Sequence, residues 1–153
     1  MTLVIGQLLA DNPKPVSVEV DDPVLHAVQA MNAHSVGSVL VRNDLGQLVG
    51  IFTERDVLTR VIEERCNSHD TPVGEVMTAT PVTADHQTPL EEAVLLLEMH
   101  QVSHLPVVVD DEVVGVVALR DLRAAMALAL TYENRALRGY IHGPVARRSE
   151  SFF

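Results

Sequence analysis

The sequence predicts an α/β fold made of two copies of one β-α-β-β-α unit. The main observation is an internal repeat: residues 50–58 resemble residues 115–122 at an offset of 65, and residues 23–28 resemble residues 89–94 at an offset of 66. Self-similarity of this kind indicates a duplicated structural unit. Within each copy, some segments alternate apolar and polar residues, while others place apolar residues at helical spacing. A length of 153 residues suits one domain or two small, closely packed ones.

The first strand and first helix of each unit follow from periodicity. Residues 16–20 alternate and predict a short strand. Thr88 followed by Glu91 predicts a capping box at the start of a helix in the second unit. The apolar positions of the first helix recur at helical spacing in both units: Val24, Ala27, Val28 and Met31, then Leu90, Val94 and Leu97.

A pair of strands and a second helix complete each unit. The strands are predicted at 38–41 and 48–52 in the first unit, and at 105–109 and 113–118 in the second. The second helix of the first unit should place four apolar residues on one face: Val57, Leu58, Val61 and Ile62. In the second unit this helix is predicted to run from Asp121 to Tyr140 and to end at Gly143-Pro144.

These elements predict four consecutive regions. Repeat 1 should occupy residues 3–66 and repeat 2 residues 73–131, with a polar linker ending in proline between them. A helical extension at 132–142 and a flexible tail at 143–153 should follow.

Composition excludes several function classes. The net charge of −10 argues against nucleic-acid binding, and apolar runs of about seven residues are far too short to span a membrane. Residues 1–10 contain no basic residue, which argues against a signal peptide. The single cysteine, Cys66, fits a reducing cytoplasm and is interpreted as an ordinary thiol. Residues 66–119 contain nine acidic residues and neither lysine nor arginine.

The motif Thr53-x-x-Asp56 has two interpretations. As a capping arrangement, the threonine hydroxyl and the acid three residues later would satisfy the first backbone N–H groups of a helix. As a ligand site, the hydroxyl could bind a phosphate or sugar oxygen, and the carboxylate could accept both hydroxyls of a ribose. In the second copy, Ala118 cannot cap through its side chain although Asp121 is retained, which weakens a purely structural reading.

At these residues the chain resembles a tandem pair of cystathionine-beta-synthase (CBS) domains, known as a Bateman module. The matching motifs are Gly-x-x-Thr-x-x-Asp at 50–56, Gly-x-x-Ala-x-x-Asp at 115–121, and the segments 73–78 and 102–107. The resemblance covers about residues 3 to 142, and the last helix is similar to that of stand-alone bacterial CBS proteins. It implies two repeats packed about a pseudo-twofold axis, with two clefts that bind adenosine-type ligands.

The resemblance also implies which residues line each cleft. Cleft one would combine the motif of repeat 1 with residues of repeat 2: Ile51, Thr53, Arg55, Asp56, Val82, Val102, Ser103 and His104. Cleft two would be its counterpart: Val116, Ala118, Arg120, Asp121, Val16, Val36, Gly37 and Ser38. The two aspartates would hold ribose, and His104 would occupy a position where relatives often place a basic phosphate contact. Adenine would be flanked by four valines: Val16, Val36, Val82 and Val102.

Three departures from the family pattern affect cleft two. Ala118 replaces the usual threonine or serine, Ser38 stands where a basic or bulky group is common, and Val39-Leu40 replaces a frequent Leu-Pro. Cleft two is therefore expected to bind weakly, to take a less charged ligand, or to be empty. The nearby cations expected from the sequence are Arg55, Arg120, Arg123 and histidines.

The resulting prediction is a non-catalytic, cytoplasmic sensor of adenine nucleotide, with AMP favoured and no required cofactor. The alternatives are a constitutive dimerisation scaffold with vestigial clefts and a sensor of S-adenosylmethionine or a dinucleotide. An enzyme is not expected, because no nucleophile–base pair, phosphate-binding glycine-rich loop or metal-ligand set is evident. The partners would be a second copy of the chain and an unidentified protein target. The homodimer should bury the second helices through Val57, Leu58, Val61, Ile62, Leu122, Ala125, Met126 and Ala129.

Overall fold

The computed structural model gives residues 2–10 and 14–150, with side chains through residue 137. A 3₁₀ helix at Ile5–Leu9 comes first. It is followed by β1 (Ser17–Glu19), α1 (Val24–His34), β2 (Ser38–Arg42), β3 (Leu48–Thr53), α2 (Glu54–Asp56) and a π-helix at Val57–Ile62. The remaining elements are α3 (Val73–Val76), β4 (Thr78–Ala79), β5 (Ala84–Asp85), α4 (Leu90–Met99), β6 (His104–Val109), β7 (Glu112–Ala118) and α5 (Leu119–Glu150). The predicted β-α-β-β-α order is confirmed in both repeats.

Each repeat contributes one sheet. The first sheet has four strands in the order β1-β2-β3-β4, and the second has three in the order β5-β6-β7. In both, a parallel pair is followed by an antiparallel pair, with Ser38 opposite Thr53 in the first sheet and His104 opposite Ala118 in the second. These two registers are equivalent. In each repeat, the first residue of the middle strand (β2 or β6) therefore lies opposite the last residue before the second helix.

The N-terminal segments of the two repeats are exchanged. Ile5 of the 3₁₀ helix is fully buried in the core of repeat 2, where its N–H donates to the carbonyl of Thr88 at 2.9 Å. Conversely, α3 packs into the core of repeat 1, and the N–H of Gly74 donates to the carbonyl of Val20 at 3.0 Å. Each repeat is therefore completed by a segment that the sequence places at the start of the other.

This exchange also explains how α4 begins. The predicted capping box of Thr88 and Glu91 does not form, because α4 starts at Leu90 and the residue before it is Pro89, which provides no side-chain cap. Instead, the N–H of Leu90 donates to the backbone carbonyl of Leu3 at 3.1 Å. The N–H groups at a helix start need a partner of some kind, and here a carbonyl of the exchanged segment supplies one.

The second helix of each repeat buries residues that were predicted to lie on an exposed surface. In repeat 1 the helix passes into i→i+5 bonding, with the N–H of Glu63 donating to Leu58 O at 3.1 Å. Val61 is buried in the core, whereas Leu58 and Ile62 are 64% and 63% exposed. In repeat 2, Leu122 is fully buried. Ala125 and Met126 pack against the same core. The predicted dimer surface was therefore wrong for Val61 and Leu122, which face the core, while Leu58 and Ile62 remain exposed.

The last helix is longer than predicted. α5 continues through Gly143 and Pro144 to Glu150, so the expected helix end at 143 and frayed segment after 146 are not found over these residues. Glycine and proline disfavour a helix. The helix nevertheless continues across both residues. Residues 151–153 lie outside the described part of the chain. None of the helices described has the length and apolar composition needed to cross a bilayer.

The contact between the 3₁₀ helix and repeat 2 leads to a stability prediction. A methyl group added at Gly6 would lie 2.8 Å from the carbonyl oxygen of His86, which is fixed backbone. A methyl group at Gly115 would meet the side chain of Leu9 at 2.7 Å, and this side chain can rotate away. We expect Gly6→Ala to lower the free energy of unfolding by about 1–3 kcal/mol, and Gly115→Ala to lower it by less. Urea unfolding monitored by circular dichroism measures both, and an equal loss would contradict the exchanged contact.

Candidate functional site

Cleft one is an open pocket between the repeats with a volume of about 280 Å³. It contains seven of the eight residues predicted for it: Ile51, Thr53, Arg55, Asp56, Val102, Ser103 and His104. It also contains five that the sequence reasoning missed: Thr59, Arg60, Thr78, His100 and Gln101. The motif of repeat 1 and the segment before β6 of repeat 2 therefore face each other across one cavity.

Cleft two is the counterpart of cleft one and is smaller, at about 200 Å³. It contains seven of its eight predicted residues: Val36, Gly37, Ser38, Val116, Ala118, Arg120 and Asp121. The additional lining residues are Lys14, Pro15, Ser35 and His104. Lys14 stands in an irregular segment before β1, where periodicity carries no information about its position.

Val16 and Val82, the two equivalent residues predicted to flank adenine, line neither cavity. Val16 packs against the core of repeat 1, and Val82 packs against the core of repeat 2. Both are apolar residues just ahead of a strand, and burial in the adjacent core removes their surface from water. Each of the two is only partly buried, and its contact with adenine stays a prediction.

Asp56 is held firmly at the floor of cleft one. Its side chain is 6% exposed, and its Oδ2 accepts hydrogen bonds from the backbone N–H of Thr53 at 2.9 Å and from the Thr53 hydroxyl at 3.2 Å. Its Oδ1 lies 3.6 Å from Nε of Arg60, which is an ion-pair distance rather than a hydrogen bond. The capping interpretation is thus correct, and the two hydrogen bonds from Thr53 engage Oδ2 and leave Oδ1 to face Arg60.

Asp121 has a different environment in cleft two. Its side chain is 63% exposed, and its nearest ionic partner is the adjacent Arg120, with Oδ1 at 3.9 Å from Nε. Ala118 replaces Thr53 and brings no hydroxyl. A carboxylate that is exposed and unconstrained is better hydrated and less ordered, so it is a weaker preformed ligand than Asp56.

Arg60 is a cation in cleft one that the sequence reasoning overlooked. It lies in the π-helix one turn beyond Asp56, and its Nη1 donates to the carbonyl of Met77 at 2.6 Å and to that of Val76 at 3.3 Å. It therefore joins the second helix of repeat 1 to the end of α3. Arg123 was expected near the clefts but pairs with Glu98 at 2.6 Å, linking α5 to α4 instead.

His104 lines both clefts, although it was assigned only to cleft one. Its Nδ1 is hydrogen bonded to the hydroxyl of Ser103 at 2.9 Å. Its Nε2 points toward Gly37 of the other repeat, where a methyl group on the glycine would lie 3.2 Å from this nitrogen. The equivalent of Ser103 in repeat 1 is Gly37, and the missing side chain leaves the His104 ring in contact with cleft two.

Burial and charge together set the protonation of His104. Burial lowers the pKa of the ring below its ordinary value, and Arg120 and Arg55 act in the same direction. Glu54 and Asp121 oppose this shift. Neutral imidazole is therefore favoured in the folded, ligand-free protein at neutral pH.

A candidate metal centre is not formed by the residues described. Among them, no group of three or more histidine, cysteine, aspartate or glutamate side chains is close enough to hold an ion.

Comparison with known proteins agrees with this geometry. A family model described as CBS domain matches the chain twice, over residues 5–63 and 73–128. The chain is 34% identical over 127 residues to a mitochondrial CBS domain-containing protein, CBSX3, from Arabidopsis thaliana. That match covers 80% of this chain and 62% of the plant protein, so the chain spans less than two thirds of that relative's length.

Two solved structures are similar over nearly their whole length. A CBS domain, NE2398, has a TM-score of 0.75 at 32% identity, covering 83% of this chain and 99% of that one. The CBS domain protein PAE2072 from Pyrobaculum aerophilum, solved in complex with AMP, has a TM-score of 0.73 at 25% identity, covering 84% and 99%. The predicted resemblance and the predicted pair of repeats are confirmed by these matches.

The lowered pKa of His104 predicts a pH dependence of stability. The unfolded chain binds a proton near pH 6.5, while the folded protein resists it, so the unfolded state holds more protons just below that pH. This contribution to stability is present above pH 6.5 and is lost as the pH falls below it. We expect His104→Gln to lose less stability than the parent protein between pH 7 and pH 5, measured by thermal unfolding. Identical losses in the two proteins would contradict the assignment.

Proposed function

The chain belongs to the CBS-domain family, and we propose that it works as a regulatory module that binds an adenosine-type nucleotide, with AMP favoured, in cleft one. The observation that carries the proposal is the buried Asp56 carboxylate, which lines cleft one and is fixed through Oδ2 by the backbone N–H and the hydroxyl of Thr53. A preorganised acceptor of this kind binds vicinal ribose hydroxyls without first having to be ordered. The AMP complex of a similar CBS protein supports the same ligand class.

The phosphate of the ligand would meet few cations. Arg55 and His104 line cleft one, while the guanidinium of Arg60 is already engaged by the carbonyls of Val76 and Met77. Residues 66–119 add acidic groups and no lysine or arginine. Each further phosphate brings negative charge without new partners, so one phosphate should be held better than three.

Cleft two is proposed as a weaker second site. Lys14 and Arg120 line it, so Lys14 adds one cation to those that the sequence suggested. Its disadvantage is at the ribose end, because Ala118 and the exposed Asp121 replace Thr53 and the buried Asp56. The preference for cleft one therefore rests on Thr53 and Asp56. His104 does not contribute to it, because this residue lines both cavities.

We also propose that a second copy of the chain covers the exposed side of the second helices. Leu58 and Ile62 on the π-helix and Leu128 on α5 are 64%, 63% and 60% exposed. Exposed apolar groups clustered on helices are typical of an association surface. A dimer formed without any ligand requirement would also suit the alternative function, a scaffold, so binding and assembly have to be measured separately.

Ligand binding is tested with a panel of AMP, ADP, ATP, S-adenosylmethionine and a dinucleotide, without magnesium. We expect AMP to give the largest thermal shift, since a ligand at 100 times its dissociation constant adds about 2.7 kcal/mol of stability. No shift with any member of the panel would favour the scaffold. A larger shift with S-adenosylmethionine would replace the ligand but keep the sensor.

The two aspartates form a matched pair for locating the site. Asp56→Ala should weaken AMP binding by about 10- to 100-fold, the cost of losing a charge-assisted hydrogen bond, and Asp121→Ala should weaken it less. Titration calorimetry measures both affinities. Each variant is kept below its own melting temperature, because Asp56 also caps its helix and its loss lowers stability. The opposite ranking would assign the stronger site to cleft two.

Assembly is tested by light scattering. The parent protein should have twice the chain mass of 16.7 kDa at micromolar concentration. Replacing Leu58 and Ile62 together by glutamate should give a monomer, because four charges would have to be buried in a symmetric interface. Leu45→Glu, which changes a 77% exposed leucine in the β2–β3 turn, is the control and should remain dimeric. A monomeric parent protein would overturn the proposal.

A further inference from the structure

One imidazole ring stands between the two clefts. His104 is the first residue of β6, and its side chain belongs to the walls of both cavities. Ser38, the equivalent residue of repeat 1, lines only cleft two. The ring lies against Gly37, where an added Cβ would be 3.2 Å from Nε2.

Charged groups of both repeats surround the ring. Glu54 and Arg55 approach it from the start of α2, and Arg120 and Asp121 approach it from the start of α5. Lys14 lies further along the wall of cleft two. Glu54 and Arg55 offset each other in their action on the ring, as do Asp121 and Arg120, and burial then leaves the ring neutral in the free protein. An anion placed in either cleft adds the negative charge that would favour the protonated form.

We propose that His104 couples the two clefts, because a single ring, reached from both, takes up the proton that favours an anionic ligand in either one. The proposal rests on nucleotide binding in the clefts as argued above. The ring nitrogen takes its proton from solvent, and no other bond is made or broken. Part of the binding free energy of the first nucleotide is used to protonate the buried ring. The second nucleotide binds to a protein in which the ring is already charged.

Linkage makes this coupling reciprocal. A nucleotide in cleft one strengthens binding in cleft two by the same factor as the reverse. Direct repulsion between two anions opposes the effect, but it is also present when His104 is replaced by a neutral residue. The contribution of the ring is therefore the difference between the parent protein and His104→Gln.

The experiment is AMP titration calorimetry at pH 7.5 in two buffers of different ionisation enthalpy. For the parent protein we expect proton uptake with the first AMP, less with the second, and no more than one proton per chain in total. In the parent protein, the ratio of the second AMP affinity to the first should be about five times the same ratio in His104→Gln. This difference between the two proteins should become smaller as the pH is lowered. His104→Gln should lose the proton uptake and this part of the coupling.

His100→Gln is the matched control, because His100 lines cleft one but not cleft two. Its affinity for AMP can change, but the coupling and the shared proton should remain. Unchanged proton uptake or coupling in His104→Gln would overturn the inference, as would uptake of one proton at each cleft. Saturation at one AMP per chain would also overturn it while leaving cleft one as a nucleotide site. An absence of AMP binding would reject the proposed function itself.

Discussion

The exchange of N-terminal segments is the constraint on which the rest of the structure depends. Ile5 lies in the core of repeat 2, and Val73 lies in the core of repeat 1. Each is fully buried, so neither repeat can complete its core without the other half of the chain. Since the repeats are interlocked in this way, the starts of β2 and β6 are brought together, and the two clefts form where the strand-to-helix junction of one repeat meets the other repeat.

Within this symmetric frame, single substitutions make the clefts unequal. Thr53 has become Ala118, which releases the following aspartate from its buried position. Ser103 has become Gly37, which opens the ring of His104 to the second cavity. As proposed, the first difference weakens cleft two and the second connects it to cleft one. A duplicated fold can therefore acquire two functions at two sites without any change in its backbone plan.

The repeat offset and the periodicity were sufficient to predict the order of strands and helices, and the family resemblance supplied most of the residues that line the two cavities. The exchange escaped prediction because Ile5 and Val73 stand in short apolar segments, which carry no signal of which core they join. Val16 and Val82 were placed by family resemblance, and both pack partly against the adjacent cores rather than lining either cavity. Arg60 could have been found, because it lies four residues beyond Asp56 on the same helix. The exposed face of that helix could not, because i→i+5 bonding changes which side each residue occupies.

The length of α5 has a mechanical consequence. This helix starts at the wall of cleft two, beside Arg120 and Asp121, and continues for 32 residues. A helix of that length extends about 48 Å, so a tilt of about 5° in its first turn moves its far end by about 4 Å. A displacement too small to alter the cleft would thus become a distance comparable to a full turn of helix at the other end. The helix has the proportions of a lever whose short arm lies at cleft two.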